Sequence, residues 1–111
     1  MVEMTFKKNG FVSKVYQIVD ENLSNPNFGL NDLCKNLGMS RSQVYRKLKT
    51  HTGQSTSKVI RLYKLHKGKE LLETTDLNIS EVAYSVGFSS LSYFTRTFTE
   101  EFGKAPKEWR K

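Results

Sequence analysis

Two stretches decide how this chain folds: LNDLCKNLGMS, from Leu30 to Ser40, and ISEVAYSVGFS, from Ile79 to Ser89. Laid over each other at a constant offset, they pair Leu30 with Ile79, Leu33 with Val82, Cys34 with Ala83, Leu37 with Val86, Gly38 with Gly87 and Ser40 with Ser89. After one inserted residue the match resumes, with Val44 opposite Phe94, Arg46 opposite Arg96, Leu48 opposite Phe98 and Gly53 opposite Gly103. Such self-similarity marks one supersecondary unit used twice. In each copy a short helical pattern carries a small residue, Cys34 or Ala83, four positions before a glycine, and a serine then opens a second helical pattern. The small side chain lets two helices cross closely, and glycine takes the positive-φ turn between them that a branched residue resists. Each copy therefore reads as a helix-turn-helix, the first at about 30–53 and the second at about 79–103.

Working outward, Phe11, Val15, Ile18, Val19 and Leu23 recur at helical spacing before Ser24, Asn25 and Pro26 end the run. Residues 1–10 carry no pattern and are expected to be a flexible tail or linker remnant, leaving 11–111 as one domain. Ser40 and Gln43 stand at capping-box spacing, so a helix should begin near Arg41, turn Val44 and Leu48 inward and close near Gly53. Thr56 to Glu73, within a linker segment of about 55–74, predicts a long helix with Val59, Leu62, Leu65 and Leu72 available to a core. Gly68 is out of place there, because glycine inside a helix costs about 1 kcal/mol relative to alanine. Either another backbone packs close to it or the helix is locally weak. Asn78 and Glu81 repeat the capping-box spacing, Phe94, Phe98 and Phe102 follow at intervals of four, and Pro106 opens a short helix holding Trp109. No segment alternates apolar and polar residues as a half-buried strand does. The expected class is all-α, with two helix-turn-helix subdomains joined by a long central helix.

The chain has 111 residues, enough for one modest core, and a formal net charge of +7. That charge is unevenly placed. Between Asp32 and Glu70 there is no acidic residue, while Lys35, Arg41, Arg46, Lys47, Lys49, Lys58, Arg61, Lys64, Lys67 and Lys69 all fall there. Such a block suits a polyanion, or serves only to keep a helix surface solvated. The apolar residues read as core rather than as an insertion face, so no membrane partner is expected. No run approaches the roughly eighteen apolar residues that span a bilayer, and the N-terminal MVEMTFKKNG lacks the apolar run of a signal peptide. With one cysteine there is no internal disulfide, and a cytoplasmic location is expected. Cys34, at the small-residue position, reads as core. His51 and His66 are too isolated for a metal site, and no catalytic constellation or phosphate loop appears. No enzyme activity, cofactor, metal or small-molecule ligand is expected of this segment.

The runs GMSRSQVYRKLK, TGQSTSKVIRLYKLHKGKELL and ISEVAYSVGFSSLSYFTRTFTEEFGKAPKEWR closely resemble the C-terminal DNA-binding domain of the AraC/XylS transcription-regulator family, over roughly residues 11 to 110. The resemblance implies seven helices, the third and sixth entering the major groove of double-stranded DNA. The opening FVSKVYQIVDENLSNPNF is similar to the segment preceding this domain in output modules of two-component regulators, which implies a sensor or receiver domain elsewhere in a longer chain. Thr56 departs from the proline common in the family, Gly68 from alanine, and Ser90 and Leu91 from an acidic residue and proline.

On that reading, with Val44 and Leu48 turned inward, Arg41, Ser42, Tyr45 and Arg46 are the base-reading candidates of the first unit. Arg46 leads, since arginine can bond a guanine bidentately. In the second unit Leu91, Ser92, Thr95 and Arg96 are the candidates, with Leu91 suited to a thymine methyl. Ser40, Lys47, Lys49, Lys58, Arg61, Ser89 and Ser90 are assigned to phosphates. A central helix of some eighteen residues spans roughly 27 Å, against about 34 Å between successive major-groove entries on one DNA face, so contacts about 10 base pairs apart are expected. Because the two copies differ, one monomer should read an asymmetric site. A basic face that instead recognises an acidic protein partner, RNA polymerase among them, is the alternative.

Overall fold

The computed structural model describes residues 10–110; the tail expected at the N-terminus, apart from Gly10, lies outside the described residues. Seven helices and no strand are found among them: α1 (Gly10–Glu21), α2 (Leu30–Leu37), α3 (Arg41–Thr52), α4 (Thr56–Thr74), α5 (Ile79–Ser85), α6 (Leu91–Phe102) and α7 (Pro106–Arg110). They form two compact units, the first from α1 through Asn22 together with Phe28–Arg61, the second from Leu23–Asn27 together with Leu62 onward. α4 supplies its first turns to one unit and the remainder to the other.

The first unit has a mainly aliphatic interior. α1 buries Val12, Val15, Tyr16, Ile18 and Val19, α2 buries Leu33 and Cys34, and α3 buries Val44 and Leu48. Phe11, expected among the inward residues, is only half-buried, and the Lys47 ammonium stands 5.1 Å from its ring centroid. Leu23 belongs to the other unit, packed against the second core. The capping boxes foreseen at Ser40 and Asn78 are present. Ser40 Oγ accepts from the Gln43 amide at 3.2 Å and Gln43 Oε1 accepts from the Ser40 amide at 2.8 Å. Asn78 and Glu81 make the same reciprocal pair at 2.8 Å each. Gly38 (φ 65) and Gly53 (φ 74) close α2 and α3 in the left-handed conformation, where L side chains are disfavoured.

The second unit is built round Leu65, Leu72, Val82, Val86, Phe88, Phe94 and Phe98, with Phe102 and Trp109 packed against them. Phe98 meets Phe94, Phe102 and Trp109 with ring centroids 4.6 to 6.0 Å apart, all inclined rather than stacked, which suits the aromatic quadrupole. Gly68 has its explanation here. It is a ring and not a backbone that comes close: a Cβ at Gly68 would lie 3.0 Å from Phe94 Cε1, so glycine makes room for the phenylalanine. Of the residues expected inward on α4, Val59, Leu65 and Leu72 are buried and Leu62 partly so, while Ile60, Tyr63 and Lys64 are buried as well. Burial pushes the Lys64 amine below its ordinary value.

One cap differs from the repeat alignment. Ser89, aligned with Ser40, does not cap α6; Ser90 does, its Oγ accepting from the Tyr93 amide at 3.2 Å. The inserted residue lengthens the second turn, and the helix that turns Phe94 and Phe98 into the core starts after Ser90. Arg110 closes the end of α4. Its guanidinium donates to the carbonyls of Leu72 at 3.2 Å, Thr75 at 3.0 Å and Leu77, satisfying acceptors that a helix C-terminus and the following loop leave open.

Candidate nucleic-acid interface

α3 is amphipathic in the sense a reading helix needs. Val44 and Leu48 are fully buried against its own unit, and that burial fixes which side faces outward. On the outward side Arg41, Ser42, Arg46, Lys47 and Lys49 are exposed, and Tyr45 keeps 45% of its surface in solvent. A large exposed aromatic among cations, with no acidic residue on the helix, is a surface matched to a polyanion that also carries stackable and methylated bases.

The residues singled out in the sequence do not share one environment. Arg41 is held in place: its Nε and Nη2 donate to Asn31 Oδ1 on α2, at 3.0 and 2.7 Å. Arg46 makes no hydrogen bond or ion pair with another described residue, so its planar donor fork is free for a ligand. Ser40 is committed to the cap, although its hydroxyl hydrogen is still available to an acceptor. Lys47 stands over Phe11, and Lys49 lies in the last turn, exposed. Lys58 and Arg61 are half-buried along α4. Arg41, Ser42, Tyr45 and Arg46 do come together, lining one open cleft with Leu30 and with Ser55, Thr56 and Ser57 at the start of α4.

On α6, Phe94, Thr97 and Phe98 are buried and Leu91, Ser92 and Arg96 are exposed, Leu91 at 36%. Thr95 is half-buried. Ser89 is exposed, as is Ser90, whose Oγ is engaged at the cap. Arg96 is not alone: its guanidinium lies 5.2 Å from the ring centroid of Tyr93, which is 38% exposed. That cation–π pair orients the arginine along the helix surface. Sequence reasoning missed Tyr93 and Asn31. The three-residue spacing of Tyr93 and Arg96 on a helix was a readable signal. Asn31 lies on another helix from Arg41, and nothing local announces their contact.

Among the described residues there is no group of three or more His, Cys, Asp or Glu side chains placed to hold a metal, and no helix is long and apolar enough to cross a membrane. Cys34 is buried and unpaired.

The model of a helix-turn-helix domain matches residues 33–111. Histidine kinase P4 of Formosa agariphila is 32% identical over 99 residues, covering 89% of this chain and 7% of the kinase. The C-terminal domain of the two-component response regulator yesN of Fusobacterium nucleatum superposes with a TM-score of 0.81 at 26% identity, covering 93% of this chain and 100% of that one. The DNA-binding domain of AdpA, a global transcriptional factor solved in complex with a target DNA, superposes with a TM-score of 0.80 at 26% identity, covering 88% and 87%. The chain belongs to the AraC-type helix-turn-helix family of DNA-binding domains. It spans well under half the length of the curated relatives it matches.

Proposed function

We propose that the chain is the DNA-binding output domain of a transcription regulator and that it reads a specific double-stranded sequence with α3 and α6. The observation that carries this reading is the outward face of α3, where Arg46 is exposed and unengaged above the buried Val44 and Leu48. Arg46 is the principal base reader, with Ser42 and Tyr45 beside it and Arg41 presenting its remaining N–H groups from a position set by Asn31. On α6, Leu91 offers an apolar contact for a thymine methyl, and Ser92, Thr95 and Arg96 complete the face. Ser40, Lys47, Lys49, Lys58, Arg61, Ser89 and Ser90 serve the backbone, contributing affinity without sequence preference. The two faces differ residue by residue, so a single copy reads an asymmetric site.

The domain acts in the cytoplasm as part of a longer regulator. A sensor or receiver region elsewhere is supported by the similarity to the kinase and to the response-regulator domain, and RNA polymerase is the protein partner that regulation of a promoter brings into reach. Selection of bound DNA from random duplexes, followed by footprinting, tests the reading. One recovered motif is expected, with protection lacking two-fold symmetry. Recovery of no preferred sequence at physiological salt would remove specific reading and leave only charge-driven binding.

A further inference from the structure

Arg41 and Arg46 stand on the same helix and are held differently. Arg41 is the first residue of α3, and its Nε and Nη2 both donate to Asn31 Oδ1 on α2, at 3.0 and 2.7 Å. An arginine only donates, so the carbonyl oxygen of the asparagine, and not its amide nitrogen, is the atom turned towards it. Those two bonds use one edge of the guanidinium. The parallel N–H pair at the Nη1–Nη2 end is left, and no described residue accepts from it. The holder is also a neutral amide rather than a carboxylate. Asp32, the next residue along α2, has a carboxylate that accepts from the Gly29 amide at 3.0 Å instead. Arg41 is therefore fixed without its charge being offset, which suits a polyanionic partner. The second repeat has nothing equivalent: Ser80 stands where Asn31 does, and Leu91 where Arg41 does.

We propose that Asn31 is a positioning residue for specificity: it presents Arg41 end-on, so that the Nη1–Nη2 edge meets a single guanine through O6 and N7. This rests on the DNA-binding reading and adds to it a second base pair read by α3, one whose reading depends on a residue of α2. The N-terminal residues of a reading helix are those that reach base edges, and Arg41 sits there. An unheld arginine gives up the rotamers of a long side chain when it binds. Arg41 has already given up part of that freedom, whereas Arg46 has not. A wrong base is then penalised, because the fork cannot be re-aimed without losing its bonds to Asn31.

Duplexes carrying the selected motif and its single-base-pair variants are titrated with the wild type, Asn31→Ala, Arg41→Ala, the double variant and Asn31→Asp. Arg41→Ala should lose about tenfold in discrimination at one G·C pair. Asn31→Ala should lose about fivefold at that same pair, the effect of freeing one long side chain, and leave the pair read by Arg46 unchanged. The double variant should match Arg41→Ala alone, because without the arginine the asparagine has nothing to position. Asn31→Asp keeps the acceptor, so discrimination should persist, while its charge offsets Arg41 and lowers affinity for every sequence, with a shallower salt dependence. Asn31 is exposed and alanine suits a helix, so thermal unfolding of Asn31→Ala should be unimpaired. Three results overturn the proposal and leave the DNA-binding reading standing: wild-type discrimination in Asn31→Ala, losses that add in the double variant, or an Arg41→Ala loss spread evenly over all sequences. A wild type that prefers no sequence overturns both.

Discussion

Gly38 and Gly87 hold the same place in the two repeats, and both have positive φ, but only one is crowded. A Cβ on Gly38 would meet nothing within 4 Å; on Gly87 it would lie 2.3 Å from the Leu23 carbonyl and 3.1 Å from Lys64 Nζ. The cores differ in the same sense. Aligned positions hold Leu48 in the first unit and Phe98 in the second, and around Phe98 the rings of Phe94, Phe102 and Trp109 close in. The reading helices differ in charge. α3 carries Arg41, Arg46, Lys47 and Lys49 and no acid, whereas α6 sets Arg96 against Glu100 and Glu101. One helix-turn-helix plan is therefore filled in two ways: a cationic unit suited to reading, and an aromatic-packed, nearly neutral one suited to holding position.

The largest effect should come from the core. Phe98→Ala is expected to destabilise the second unit by about 4 kcal/mol, and Leu48→Ala the first by about 3 kcal/mol. Hydrogen exchange resolved by residue, beside urea denaturation, checks both. Losses that differ only in proportion to the volume removed would mean that the ring cluster adds nothing beyond volume. Next come the glycines. Gly87→Ala should lose more than about 3 kcal/mol, since backbone must move as well as adopt a disfavoured φ, whereas Gly38→Ala should lose about 1 kcal/mol, the left-handed penalty alone. A matched pair of urea midpoints decides whether the crowding is real.

The functional asymmetry is tested on DNA. Arg46→Ala should relax discrimination at one base pair by about 2 kcal/mol, while Arg96→Ala changes discrimination by less than about 1 kcal/mol. Lys58→Ala should weaken all sequences evenly and reduce the salt dependence. If Arg96→Ala relaxes specificity as much as Arg46→Ala, the division of labour between the units is lost. The smallest effect concerns pH. Burial, with a smaller contribution from the Lys69 charge, holds the His66 imidazole below its ordinary value of 6.5. In the window just below that value the unfolded chain binds more protons than the folded one, so stability rises with pH and is lost as pH falls. Urea midpoints measured from pH 7.5 down to 5 should decline, and His66→Gln should flatten the decline; an unchanged slope would place the sensitivity elsewhere.

Much of the fold was legible because its signals are local. The repeat, the helical periodicities, and the Ser40–Gln43 and Asn78–Glu81 caps depend on residues within a few positions of each other, and the short-range geometry of a helix enforces them. The inward Val44, Leu48, Phe94 and Phe98 follow from the same period, and with them the outward face of α3. Tertiary packing decided the rest. Either Ser89 or Ser90 could have capped α6, and the choice fell to the register that buries Phe94 and Phe98. Gly68 looked like a weakness until the Phe94 ring filled its surface. Asn31 on Arg41 and Arg110 on the end of α4 join residues from separate helices. Periodicity tells which way a side chain points within its own helix; what it meets there depends on how helices cross, and that is set only when the cores close.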